Sequence, residues 1–87
     1  MGYKILYQTL WSTNEGKKVV EEHYSPATFT KERIQYSKKL NKQIGYRWIG
    51  RTRHNGKYYH TWERYSHTES SKEGRDVYYR IMYIKVK

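Results

Sequence analysis

Between Tyr46 and Arg64 the chain interleaves guanidinium groups with aromatic rings. The run is Tyr46-Arg47-Trp48-Ile49-Gly50-Arg51-Thr52-Arg53-His54, then Asn55-Gly56, then Lys57-Tyr58-Tyr59-His60-Thr61-Trp62-Glu63-Arg64. Arginine presents a planar fork that fits phosphate and can stack on a base. Tyr and Trp rings contribute roughly 1–3 kcal/mol per stacked base. Asn-Gly between two alternating runs is the strongest short-range mark of a two-residue type I′ hairpin. With those turn residues, Arg53 is expected opposite Tyr58, Arg51 opposite His60, Ile49 opposite Trp62 and Arg47 opposite Arg64, all on one surface. The other surface pairs Thr52 with Tyr59, Gly50 with Thr61, Trp48 with Glu63 and Tyr46 with Tyr65. It carries one charge and is the expected core face. The arginine surface then faces water, and its chemistry suits a single-stranded polyanion. Arg47 against Arg64 is a like-charge pair that costs a few tenths of a kcal/mol unless an anion sits between them.

Other chemistry finds less support. His23, His54, His60 and His67 lack the spacing of a metal site, and no H-E-x-x-H occurs. No phosphate-cradling G-x-x-x-x-G-K or G-x-G-x-x-G is present, and Glu21 and Glu22 point opposite ways on a strand. No catalytic set, metal or cofactor is therefore expected. His60 beside Arg51, Arg53, Tyr58 and Arg64 has the makings of metal-independent RNA cleavage, which needs a proton acceptor, a donor and cations. Size and basicity are similar to those of small RNA-cleaving toxins of the RelE kind. Those place two helices before a sheet, whereas a hairpin and one helix are expected here.

The elements that must position the hairpin read as follows. Tyr3 to Trp11 alternate as a strand, Ser12 to Gly16 is turn chemistry, and Lys18 to Tyr24 reads as a second strand, with a helix through Val19 and Val20 as the alternative. Ser25-Pro26 opens a helix that runs from Thr28 or Thr30 to about Gln43, with Gly45 at its end. Phe29, Ile34, Tyr36, Leu40 and Ile44 make its apolar face. Lys31, Arg33, Lys38, Lys39 and Lys42 make a basic back. That back is read as solvated rather than membrane-bound, because the apolar face is short. After the hairpin and a polar loop over Thr68 to Arg75, Val77 to Val86 forms a last strand. Its apolar residues on both faces suit a central strand or the seat of a second subunit.

Charge is concentrated where the chemistry is. The chain has 18 Lys and Arg against 8 acids, a formal charge of +10. Residues 1–24 are neutral, residues 25–66 carry +8 and residues 67–87 carry +2. A uniformly solubilising surface would spread that charge; a local field that attracts phosphate concentrates it. The 87 residues suffice for one domain, 1–87, without an internal repeat. Fifteen aromatics, eleven of them Tyr, argue for a folded chain over a disordered one. Absence of Cys is compatible with a reducing compartment, and the N-terminus, which alternates polar and apolar residues from the start, lacks the apolar core of a signal peptide, so a cytoplasmic protein is expected.

The expectation is an α+β domain of order ββαβββ: a hairpin, one helix and a three-stranded antiparallel sheet. The expected function is non-enzymatic binding of RNA or single-stranded nucleic acid. Arg47, Arg51, Arg53 and Arg64 would take phosphates, Tyr58 and Trp62 would stack, and His60 lies among them. Lys38, Lys39 and Lys42 would extend the track. Two alternatives stand beside it. One is a phage-like inhibitor or regulator that binds an acidic protein or a nucleoprotein of the host; the other is a small RNase. A homodimer is compatible with all three.

Overall fold

The computed structural model describes residues 2–69 and 75–86. The chain folds as β1 (Gly2–Thr13), β2 (Gly16–Tyr24), α1 (Lys31–Gln43), β3 (Arg47–His54), β4 (Lys57–Thr68) and β5 (Asp76–Val86). The α+β class and the element order follow the expectation. The architecture differs: all five strands form one antiparallel sheet, in order β2-β1-β5-β4-β3. The first hairpin joins the three later strands because β5 returns between β1 and β4. That central position accounts for its apolar residues on both faces. Of the polar loop, residues 70–74 lie outside the described residues; Glu69 N–H donates to the Arg75 carbonyl at its base (2.8 Å).

The helix begins at Thr30, whose hydroxyl accepts the Arg33 N–H (3.2 Å). It ends at Ile44, followed by Gly45 at φ +100°, a left-handed position that glycine takes without cost. The link into the helix is pinned to β1: Phe29 bridges Tyr3, and the Ser25 hydroxyl accepts the Ile5 N–H. The helix covers Ile5 and Ile81 with Ile34, and Asn41 donates to the Tyr83 hydroxyl (2.5 Å), which also bonds Ser37 (2.9 Å).

The opposite face is buried without a second layer. Leu6, Tyr59 and Met82 cluster there, and Leu10 and Thr61 are also sealed from solvent. The sheet itself does this by curling. In a flat sheet β2 and β3 would lie four spacings apart, about 19 Å. Yet His54 Nε2 of β3 is 3.1 Å from the Glu22 carboxylate of β2. The Tyr24 and Tyr59 hydroxyls meet at 3.4 Å, and Lys17 of β2 reaches Glu63 of β4. These contacts define a concave face rich in Leu, Met, Tyr and Thr, and a convex face that carries the helix.

The hairpin departs from expectation in one register shift and in the face that receives the helix. Residues 50 to 54 pair with 57 to 61 as an unbroken Asn-Gly hairpin requires. At Ile49 a bulge slips the ladder by one, so Trp48 faces Trp62 and Arg47 faces Glu63 rather than Arg64. Gly50 at φ +102° supplies the backbone freedom for that bulge. The helix also packs on the face expected to be wet. Ile81 lies opposite Trp62, and both border the cluster around Ile34, so Arg51, Arg53, Tyr58 and His60 share the helix side of the sheet. The expected core face, with Thr52, Tyr59 and Thr61, instead lines the concavity.

Candidate functional site

The convex face is a lattice of cross-strand rows. One row runs Ile5, Tyr83, His60, Arg51 across β1, β5, β4 and β3; another runs Tyr7, Ile81, Trp62, Trp48. The helix lies over the inner end of these rows, leaving the β4–β3 end open. Arg51, Arg53, Tyr58 and His60 are all exposed there. Tyr58 retains 60% of its accessible surface and Trp48 58%, which makes these two rings available as stacking platforms.

The helix flanks this open end as a wall. Lys38 is packed against the sheet, its ammonium 5.4 Å from the centre of the Tyr83 ring. Burial lowers the Lys38 pKa. His60 is held below its usual 6.5, first by partial desolvation of its otherwise exposed ring and then by the charges of Lys38 and Arg51. Those two cations come from different elements, so both walls act on one imidazole. Helical periodicity puts Lys31 and Lys42 on the Lys38 flank, while Lys39 is exposed on the far side. Lys85, two residues along β5 from Tyr83, adds a cation to the same face.

Carboxylates are sparse in this part of the chain. Between residues 33 and 68 the only acid is Glu63. It points to the concave face, bonded by Lys17 and by Arg80 Nε (2.7 Å). Burial alone would raise its pKa, but those hydrogen bonds and charges hold the carboxyl below its usual 4.5. Among the described residues no carboxylate pairs with Lys38, Arg51 or Arg53. Nor is there a group of three His, Cys, Asp or Glu that would hold a metal.

The sequence-derived site residues thus divide. Arg51, Arg53, Tyr58, His60, Lys38 and the Lys42 flank come together. Arg47 turns away because of the bulge. Arg64 Nη1 donates to the Ile44 carbonyl (3.1 Å), and its guanidinium sits 5.5 Å from the Tyr46 ring, so it caps the helix C-terminus. Trp62 is half-buried in the helix-side core, with its indole N–H unpartnered, and offers little of its ring for stacking. Trp48 and Lys85 were missed. An isolated Gly inside a strand pattern is the signal for a bulge, and Gly50 was available to indicate that Trp48 changes face.

The tyrosines of the concave side are chemically separate from this face. The Tyr59 pKa is pushed up to about 12 by burial, by its bond to Tyr24 and by the nearby Tyr24 and Glu22. No described helix is long and apolar enough to cross a membrane. The chain matches no family model, no curated protein and no solved structure.

Proposed function

We propose that the chain binds single-stranded nucleic acid, RNA foremost, in the open part of the convex face between α1 and the β3–β4 hairpin. The observation that carries this reading is the convergence of Lys38 and Arg51 on His60, beside the exposed Trp48 and Tyr58 rings, where no described carboxylate pairs with Lys38, Arg51 or Arg53. Arg51, Arg53, Lys38 and Lys42 take phosphates in this reading. Trp48 and Tyr58 stack bases, and His60 donates to a phosphate oxygen once protonated. Base edges are not read by a helix in a groove, which favours a strand with accessible rings over duplex DNA. The protein binds without cutting.

The test is a fluorescence-anisotropy titration with labelled single-stranded RNA over a range of salt, with duplex DNA as competitor. Three or four phosphate contacts predict a slope of log K against log salt of about −2 to −3. A slope near zero, or equal displacement by duplex DNA, refutes the reading. Recovery of shortened RNA assigns the site to cleavage instead. A partner that survives nuclease treatment in pull-down, with no RNA affinity, assigns it to protein binding.

A further inference from the structure

Every residue of β2 is exposed, and its outer edge has no neighbour in the sheet. Its centre reads Lys17-Lys18-Val19-Val20-Glu21-Glu22, two cations, two valines and two carboxylates. An unbroken strand of this order cannot pair symmetrically with a copy of itself about the middle of the run. Hydrogen-bonded and non-hydrogen-bonded pairs alternate along an antiparallel ladder. A two-fold axis between Val19 and Val20 would exchange the two kinds, so the axis must pass through a residue pair.

The β1–β2 bulge removes that obstacle. Thr9 pairs with Glu21 and Leu10 with Val19, so Val20 stands outside the alternation. The remaining order, Lys17, Lys18, Val19, Glu21, Glu22, is a charge palindrome centred on Val19. The faces agree as well. Lys18 and Glu21 pair with Trp11 and Thr9 and lie on the convex side; Lys17 and Glu22 pair with Ser12 and Gln8 and lie on the concave side.

We propose that two copies of the chain pair antiparallel through β2, with Val19 against Val19 at the two-fold axis and Lys18 of each copy against Glu21 of the other. Lys17 against Glu22 extends the match, although both already have partners within their own chain, in Glu63 and His54. Lys18 and Glu21 have none among the described residues, so their charges are free for a second copy. An edge protected only against association is served by lysines alone. Opposite charges segregated about a valine attract the same sequence run in reverse. The product is a ten-stranded sheet. Because the axis is perpendicular to it, both convex faces lie on one side.

Sedimentation velocity on nuclease-treated protein tests the pairing independently of nucleic-acid binding. Wild type is expected to dimerise. Lys18→Glu and Glu21→Lys each place two like-charge pairs in the interface and are expected to weaken the dimer about tenfold or more. An equimolar mixture of the two variants restores both opposite-charge pairs and is expected to recover the dimer, as is the double variant Lys18→Glu/Glu21→Lys. Circular dichroism verifies that each variant is folded. A wild type that stays monomeric at its highest soluble concentration, a dimer indifferent to both swaps, or a mixture that does not recover would overturn the proposal.

Discussion

Trp48 stands directly across the β3–β4 ladder from Trp62, in the place that an unbroken hairpin would give to Ile49. The slip has a sharp consequence for the arginines. Arg51 and Arg53, beyond the bulge, stay on the helix side of the sheet, and Arg47, before it, faces Glu63. Arg51→Ala and Arg53→Ala are therefore expected to weaken single-stranded RNA binding and each to lower the magnitude of the salt slope by about 0.7. Arg47→Ala should leave the slope unchanged. Equal losses from all three would mean that bulk charge, and not this face, attracts the strand.

The bulge itself rests on Gly50. At φ +102° an alanine is strained although its Cβ would meet no atom within 4 Å. Gly50→Ala is expected to cost about 1–3 kcal/mol of conformational strain. Urea denaturation monitored by tryptophan fluorescence measures it; a neutral change would show that the slip does not depend on this backbone conformation.

His60 links binding to pH. Its folded pKa is depressed below 6.5, so the free protein holds it neutral near neutral pH. A phosphate between Lys38 and Arg51 raises that pKa, and binding takes up a proton. Affinity should accordingly strengthen as pH falls from about 7.5 to 5.5. His60→Gln should flatten this dependence relative to wild type, leaving only the contribution of other histidines. The sign for folding is the reverse: stability contributed by neutral His60 is present above 6.5 and is lost as pH falls toward its folded pKa.

Acid should also loosen the curl. The Glu63 carboxyl is depressed by Lys17 and Arg80, so its stabilisation is complete above 4.5 and disappears as pH falls through its folded pKa. Urea midpoints recorded between about pH 6 and 3 should decline for wild type and decline less for Glu63→Gln. The variant should start lower at pH 6, because Lys17 and Arg80 lose their shared anion. Parallel curves would place the acid sensitivity elsewhere.

Tyr83 carries the polar contact between helix and sheet. Its hydroxyl takes the Asn41 amide donor and bonds Ser37 in a region where Asn41 is buried. Tyr83→Phe leaves that amide unsatisfied and is expected to cost about 1–3 kcal/mol. Asn41→Leu in the same background should recover part of the loss, since both polar groups are then gone. Thermal melts of the two variants decide this, and no recovery would count against the assignment.

Local chemistry made much of this molecule legible before folding. Asn55-Gly56 specified the turn, Thr30 and Gly45 bracketed the helix, with Ser25-Pro26 falling in the link before it, and alternation marked the strands, because each is decided by backbone preferences within a few residues. The concentration of cations in residues 25–66 is likewise a property of the chain. Which face each cation occupies was not legible in full. A single bulge reverses side-chain direction for everything before it, so Arg47 and Trp48 exchanged roles. Nor does alternation say which sheet face receives the helix. Here the curl lets β2 reach across to Glu63 and His54 and bury one face with the sheet's own side chains, leaving the helix to the other. That choice depends on contacts between residues as far apart as 17 and 63, and no local pattern encodes the energy of such long-range closure.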